Sequence, residues 1–212
     1  VCISVLFLAT KQAKKMTWRI GDGTLRNKGN QRFALSVAAS SPYGPFYNGQ
    51  TVCIWETTPD GVPPAQSQDW TVHADGSVRL THHPQFALTA LCSDPFGNGP
   101  FHTDLKVGIW TIGAVPSAAQ KWQYSPDSAI RLAANPQLTL TTRVPDPSGN
   151  SGFYNSCPVV LWEVTPWGAA VAQSQHWTTY GYGGISVDIF AGMRDDPDIS
   201  VRIGDFSFGI NF

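Results

Sequence analysis

The chain has 212 residues, a net charge of −1 and only 14% charged residues, against about 25% in an average soluble domain. Its aromatic content of 12% excludes a disordered chain, because such chains lack the apolar groups needed for a core. The absence of a positive net charge argues against nucleic acid as the main partner, since binding to phosphates needs an excess of Lys and Arg.

The N-terminal segment, residues 1–17, begins with the apolar run VCISVLFLAT and continues with KQAKK. Ten residues are too few to span a bilayer as a helix, so no membrane span is predicted. Two interpretations are open: the remnant of a signal peptide, or a β-strand. The first predicts a secreted, extracellular protein, whereas a native start at Met16 would make it cytosolic.

Four short β-type runs follow, separated by Gly, Pro, Ser and Asp-Gly turn signals. They are TLRN (24–27), FALSV (33–37), TVCIW (51–55) and DWTV (69–72). Alternation along the second run places Phe33, Leu35 and Val37 on one face. We therefore expect a half-apolar sheet that needs further strands to cover it.

The same four runs recur twice more along the chain, and tryptophan marks the recurrence. The tryptophans of one series are the last residues of Q-x-W motifs, and those of a second series end the strand before each motif. Trp18 resembles a further, N-terminal member of the first series. The segments 55–70 and 162–177 are identical at ten of sixteen positions without a gap. The members of the two series are Gln68–Trp70, Gln120–Trp122 and Gln175–Trp177, and Trp55, Trp110 and Trp162.

A unit of about 52 residues cannot bury its own apolar face, but three units that share one core can. We therefore predict one all-β body with pseudo-threefold symmetry over residues 18–184, and we place Trp70, Trp122 and Trp177 in its core. A buried indole needs a hydrogen-bond partner for its N–H.

The three Q-x-W motifs, each with V-x-[IL]-W upstream, resemble the ricin-B-like (R-type) lectins. The resemblance covers about 160 residues. It implies a β-trefoil of twelve strands and the binding of glycans, galactose-type or other. It also implies a mainly structural role for the Gln and Trp of each motif.

In that family the sugar site of each unit combines an Asp, an aromatic platform and polar groups near Q-x-W. The resemblance places the platform on Trp55, Trp110 and Trp162. The polar position falls on Gln68 and Gln175, whereas the second unit, with Ala119 before Gln120, is the poorest candidate. The family's Asp is replaced in all three units, by Ser36, Thr89 and Thr141.

The loop after the second strand of each unit offers other candidate groups, in SPYGPFYNG, DPFGNGPFHT and DPSGNSGFYN. One interpretation is a sugar pocket, because an acid, an aromatic ring and an amide are the groups that hold a saccharide. The other is turn chemistry, with the Phe anchoring the loop on the core. The candidate residues are Tyr47, Asn48, Asp94, His102, Asp146, Tyr154 and Asn155.

Nothing in the sequence points to catalysis. The chain has no P-loop, HExxH, GxSxG or GxGxxG pattern and no evident acid/base pair. Tandem His82-His83 lacks a neighbouring Cys or carboxylate, and Cys53 and Cys157 fall in apolar runs where a buried thiol is expected. We therefore expect a protein that is not an enzyme and that carries no cofactor or metal.

The last segment, residues 185–212, shows period-2 alternation in three runs around Asp195-Asp196-Pro197-Asp198. We expect a hairpin-like β extension that packs on the trefoil, pairs with a second copy of the chain, or begins a further domain.

Three hypotheses on function are open. The first is a non-catalytic lectin that binds glycans in shallow loop pockets. The second is a trefoil scaffold with degenerate pockets that assembles through residues 185–212. The third is the binding module of a larger enzyme or toxin.

Overall fold

A computed structural model describes residues 17–18, 22–59, 62–94, 96–146, 148–164, 172–179, 187–191, 199–203 and 206–210. For residues 17–18, 179 and 187–210 the description is limited to the backbone. Of the predicted signal remnant or strand at 1–17, residues 1–16 lie outside the described residues, as does the acidic turn at 195–198.

The described residues form β-strands and two single-turn 3-10 helices, at Ala118–Gln120 and Gln173–Gln175. The strands are β1 (Thr17–Trp18), β2 (Leu25–Asn27), β3 (Phe33–Val37), β4 (Val52–Glu56), β5 (Trp70–His73), β6 (Val78–Leu80), β7 (Phe86–Ala90), β8 (Val107–Thr111), β9 (Trp122–Tyr124), β10 (Ile130–Leu132), β11 (Asn135–Thr142), β12 (Cys157–Glu163), β13 (Trp177–Thr179), β14 (Val187–Ala191), β15 (Ile199–Ile203) and β16 (Phe206–Ile210). The predicted strands of the first unit correspond to β2–β5, which confirms them.

Strands β2 to β13 fall into three units of four, and the last strand of each unit pairs with the first strand of the following unit. β5 pairs with β6, β9 pairs with β10, and β13 returns to pair with β2. Within each unit the second and third strands form an antiparallel hairpin. This closed arrangement of twelve strands is a β-trefoil, so the predicted fold class is confirmed.

One core serves all three units. Leu35, Leu88 and Leu140 occupy the centre of the second strand in each unit, and each is fully buried. The apolar cluster around them takes side chains from β2 through β13. The units therefore depend on one another for burial, as expected for strands that are apolar on one face.

Strand β1 corrects the interpretation of Trp18 as an echo of the core tryptophans. A tryptophan equivalent to the core tryptophans would begin a strand that pairs with β2, because each core tryptophan begins the strand that pairs with the first strand of the following unit. That place belongs to Trp177, whose Cα partner is Asn27. Trp18 instead pairs with Val72 on the outer side of β5.

The C-terminal strands β14, β15 and β16 form their own antiparallel sheet. Their register pairs Ile189 with Val201 and Val201 with Phe208. Assembly through this segment stays a prediction.

Cys53 and Cys157 are buried free thiols, as expected, whereas Cys2 lies outside the described residues. Burial, with the Cys157 thiol as a second cause, raises the pKa of Cys53 to about 11. A thiol with that pKa is protonated at neutral pH and a poor nucleophile. Within the described part of the chain, no helix is long and apolar enough to cross a membrane.

Candidate saccharide-binding site

Three exposed tryptophans stand at corresponding places, near the ends of β4, β8 and β12. Trp55 and Trp110 are each 45% exposed, and Trp162 is 41% exposed. In β4 and β8 the first three residues are buried and exposure begins at the tryptophan, and in β12 the three residues before Trp162 are buried. The platform positions of the predicted sugar sites are therefore open to solvent in all three units.

The buried tryptophans have the structural role that the resemblance implies. The indole N–H of Trp70 donates to the carbonyl of Leu35, that of Trp122 to Leu88, and that of Trp177 to Leu140, at 2.9–3.0 Å. Each bond links the last strand of a unit to the centre of its second strand, and the prediction of core tryptophans is confirmed.

The glutamines of the Q-x-W motifs hold the strand ends that carry the exposed tryptophans. The Gln68 amide donates to the carbonyls of Trp55 and Glu56, both at 3.2 Å. The Gln175 amide donates to the Glu163 carbonyl at 2.9 Å. Gln68 and Gln175 are buried, so in this conformation they position the platforms instead of facing solvent.

Gln175 differs in one respect. Among the described residues its side-chain oxygen, Oε1, is a buried atom without a hydrogen-bond partner. In the second unit the corresponding oxygen, on Gln120, accepts from the backbone N–H of Ser117. An unpaired buried acceptor costs free energy, and it leaves the third unit with one vacant hydrogen-bond position.

The positions that hold the family's Asp are closed. Ser36, Thr89 and Thr141 are all buried. The Ser36 hydroxyl lies 3.3 Å from that of Ser67, and the Thr89 hydroxyl accepts from the Gln120 amide at 3.3 Å. Ser36 thus contacts its own unit, and a ligand would reach it only if the covering loop moved.

The loop acids accept hydrogen bonds from their own loops. The Asp94 carboxylate accepts from the backbone N–H groups of Phe96 and Asn98, which lower its pKa. The Asp146 carboxylate accepts from the hydroxyl and N–H of Ser148, the Ser151 hydroxyl and the Asn150 N–H. These bonds, led by the Ser148 hydroxyl, hold the pKa of Asp146 well below its usual range.

The anchoring role expected of the loop phenylalanines is confirmed, because Phe46, Phe101 and Phe153 pack against the core. The loops also approach the Q-x-W segments closely. A Cβ built on Gly149, whose φ is +67°, would lie 2.4 Å from the Ser174 hydroxyl. For the loop acids and the loop phenylalanines, the geometry therefore supports the interpretation as turn chemistry.

The remaining loop candidates lie beside the tryptophan of a different unit. We call the three places seams, each formed by a loop segment and the strand end of the neighbouring unit. Seam A joins 47–49 to 109–111, seam B joins 154–156 to 54–56, and seam C joins 102–104 to 161–163. At corresponding points the N–H of Gly49, Ser156 and Asp104 donates to the carbonyl of Ile109, Ile54 and Leu161, respectively.

In seam A, Asn48 fastens the loop of the first unit to the strand of the second. Its side-chain oxygen accepts from the N–H of Thr111 at 2.7 Å, and its amide donates to the Thr111 hydroxyl at 3.2 Å. The Trp110 ring lies over Gly49, where an added Cβ would sit 3.6 Å from it. Tyr47, next to Asn48, is 60% exposed.

Seam B repeats this arrangement between the third and first units. The side-chain oxygen of Asn155 accepts from the N–H of Glu56 at 2.8 Å, and Tyr154 is 47% exposed beside the Trp55 strand end. The neighbouring Cys157 thiol, which also shares a hydrogen bond with the Tyr154 hydroxyl, raises the pKa of Tyr154.

Seam C carries different chemistry. His102 replaces the tyrosine, and Thr103 replaces the asparagine, with its hydroxyl 3.5 Å from the Glu163 carboxylate. Asp104 forms an ion pair with Arg143 at 2.9 Å. This seam is charged, whereas the described side chains of seam A are neutral.

Sequence reasoning found the aromatic and amide groups but assigned each loop to its own unit. It missed Thr111, Glu56 and Glu163, which follow the exposed tryptophans and meet the neighbouring loop. The available signal was their position directly after each exposed tryptophan.

A polar cleft of about 400 Å³ lies next to seam B and shares Glu56 with it. Arg32 lines this cleft and forms an ion pair with Glu56 at 2.8 Å. The lining residues are Arg26, Gln31, Arg32, Glu56, Thr57, Thr58 and Pro59. The cleft extends the accessible surface beyond the Trp55 platform.

The chain is similar in structure to several solved proteins. The mdaA-1 domain matches 81% of this chain and 96% of its own at 17% identity and a TM-score of 0.54. The agglutinin from Abrus precatorius matches 95% of this chain and 61% of its own at 17% identity and a TM-score of 0.51. The β-trefoil lectin of the Vibrio vulnificus hemolysin/cytolysin matches 78% and 93% at 16% identity, with a TM-score of 0.47.

At such identities the likeness to the first two shows the fold alone, which is consistent with the β-trefoil described above. No protein-family model matches the sequence. A search of curated proteins likewise finds no match.

Proposed function

We propose that this protein is a non-catalytic, lectin-like β-trefoil that binds glycans at its surface. The observation that carries the proposal is the exposure of Trp55, Trp110 and Trp162 at corresponding strand ends. Each of these strand ends accepts a hydrogen bond from the glutamine of a Q-x-W motif. Leaving a large indole in water is unfavourable unless a ligand covers it. A sugar ring suits this surface, because its C–H face packs on an aromatic ring while its hydroxyls bind polar groups.

The polar groups around the platforms fit hydroxyl recognition better than catalysis. Hydroxyl, amide and phenol groups both donate and accept hydrogen bonds, whereas the carboxylates of Asp94 and Asp146 accept hydrogen bonds from their own loops. Buried Ser36, Thr89 and Thr141 provide no carboxylate, so a galactose mode that relies on that acid is not expected. Binding at each shallow platform is weak, and display of several platforms on one body raises avidity.

The test is a titration of the 15N-labelled protein with methyl α-D-galactoside, N-acetyl-D-galactosamine, lactose, cellobiose and N,N'-diacetylchitobiose. Binding shifts the indole N–H signals of the exposed tryptophans. The signals of Trp70, Trp122 and Trp177, which are buried and hydrogen-bonded, stay in place and serve as the control. If no saccharide on this panel or on a printed glycan array binds, the proposal is wrong.

A second candidate function is a scaffold that kept the trefoil and lost the sugar pockets. The observation in its favour is that the side chains at the family's Asp positions are buried in all three units. Such a scaffold would assemble through residues 185–212. Light scattering on the intact chain and on a chain ending at 184 separates the two: a monomer in both cases contradicts assembly through this segment.

We also infer that the protein acts outside the cell or as the binding module of a larger enzyme or toxin. The β-trefoil of the Abrus agglutinin is one part of a longer chain, since the match covers 61% of it. Sequencing the complete reading frame tests this inference, and a frame without a leader or an additional domain contradicts it.

A further inference from the structure

We propose that the saccharide sites lie between units, at seams A and B, and that each accepts an uncharged saccharide through an aromatic pair contributed by two different units. This inference rests on the proposed glycan binding and adds where the ligand sits and what its chemistry is. The pairs are Tyr47 with Trp110, and Tyr154 with Trp55.

The first step is access. Within the first unit, the side chains at the family's Asp position and in the Q-x-W motif are buried: Ser36 contacts Ser67, and Gln68 is bonded to the strand end. Tyr47 and Tyr154, by contrast, are 60% and 47% exposed, and the tryptophans beside them are each 45% exposed. The accessible recognition groups are therefore those of the seams.

The second step is rigidity. In both seams an asparagine oxygen accepts the backbone N–H that follows the tryptophan, from Thr111 at 2.7 Å and from Glu56 at 2.8 Å. The next residue of the loop then donates to the carbonyl that precedes the tryptophan. These two bonds clamp the backbone of the tyrosine loop on either side of the tryptophan, so the two segments that carry the aromatic residues are fixed before the ligand arrives, which lowers the entropic cost of binding.

The third step is charge. Tyr47, Asn48, Trp110 and Thr111 are neutral, and their polar atoms can both donate and accept hydrogen bonds. At seam B the Glu56 carboxylate is neutralised by Arg32 at 2.8 Å. Among the described residues that define seams A and B there is no Lys or Arg that could pair with a sialic acid or a sulfate. We therefore assign an uncharged saccharide as the ligand class.

Seam C provides an internal comparison, because it has His102 in place of the tyrosine and an Asp104–Arg143 ion pair beside Trp162. The same strand geometry thus carries a different set of side chains. The indole signal of Trp162 should therefore respond to a ligand independently of Tyr47 and Tyr154.

The experiment follows the indole N–H signals of Trp55, Trp110 and Trp162, assigned with single Trp→Phe variants, during titration with the neutral disaccharides lactose, cellobiose and N,N'-diacetylchitobiose. Tyr47 belongs to the first unit, whose own tryptophan is Trp55, but the proposal couples it to Trp110. Tyr47→Ala should weaken the response of Trp110 about three- to tenfold and leave those of Trp55 and Trp162 unchanged. Tyr154→Ala should weaken only the response of Trp55.

The matched control is Tyr43→Ala, because Tyr43 lies on the same loop as Tyr47 and is 69% exposed but is not part of a seam. It should leave all three responses as they are. The signals of the buried tryptophans verify that each variant is folded.

The outcomes separate this inference from the proposed function. If Tyr47→Ala weakens the response of Trp55 instead of Trp110, or weakens neither, the sites do not lie at the seams although glycan binding stands. If 6'-sialyllactose shifts Trp110 more strongly than lactose does, the assignment of an uncharged ligand is wrong. If no disaccharide moves any indole signal and no glycan on a printed array binds, the proposed function itself fails.

Discussion

Buried and exposed tryptophans have opposite roles in this molecule, although they alternate along the chain. The buried ones fill the core and donate to a leucine carbonyl, whereas the exposed ones lie on the outside of the strand ends. Replacing a buried indole therefore removes packing and leaves a buried carbonyl unpaired.

We predict that Trp177→Phe lowers the free energy of unfolding by about 2–4 kcal/mol, because Trp177 is fully buried and bonded to the Leu140 carbonyl. Trp162→Phe in the same unit should change it by less than about 1 kcal/mol, because that side chain is 41% exposed. Urea unfolding measures both, and equal losses would contradict the assigned roles.

A second prediction at this scale concerns Asp146. Its hydrogen bonds lower its pKa in the folded protein, so they stabilise the loop at any pH above the ordinary value of about 4. That contribution disappears as the pH falls through the lowered pKa. The double change Ser148→Ala and Ser151→Ala should move the pKa of Asp146 back up toward its ordinary value.

A 13C NMR titration of the carboxyl group follows this change, with Asp94 as the reference, because its bonds come from other residues. A pKa of Asp146 that does not move would show that the two hydroxyls are not its cause.

At the scale of elements, the seams bring together segments that are distant in sequence, and one glycine shows how close they come. A Cβ on Gly108 would lie 2.5 Å from the Gln50 carbonyl oxygen. The corresponding residues of the other units are Cys53 and Val160, which carry side chains. Only the second unit therefore needs a glycine here.

We predict that Gly108→Ala destabilises the protein by about 1–3 kcal/mol, because overpacking forces the backbone apart. Gly113→Ala is the control, since its nearest neighbour would be 3.7 Å away. Thermal unfolding compares the two. A Gly108→Ala variant as stable as the control would mean that the backbones at Gln50 and Gly108, next to seam A, can move apart without loss of stability.

Elements also show where sequence analysis succeeds and where it stops. Alternation and turn residues are local, so the strand with Phe33, Leu35 and Val37 could be predicted. The partner of Asn48 is Thr111, 63 positions away, and no local pattern specifies it. Ser36 falls on the outer face by alternation, yet it is buried because a loop of its own unit covers that face.

For the whole molecule, the shared core implies that the three units unfold together. We predict that Leu88→Ala, in the second unit, costs about 2–5 kcal/mol and shifts the unfolding of all units equally, because its side chain joins one cluster. NMR signals of the buried indoles report each unit separately. Val115→Ala, exposed in the same unit, is the control, and unequal midpoints would contradict a common core.

The pairing of β13 with β2 has a consequence for the order in which the chain is read. Because the final strand of the third unit lies beside the first strand of the first, the strands β2–β13 form a circuit, and the start and finish of the trefoil are neighbours. A short covalent link between 179 and 22, in a chain limited to the trefoil, would leave the pairings among β2–β13 intact. New termini in the exposed turn at Val115 would then produce a circularly permuted chain with the same trefoil, which no longer begins with the first unit.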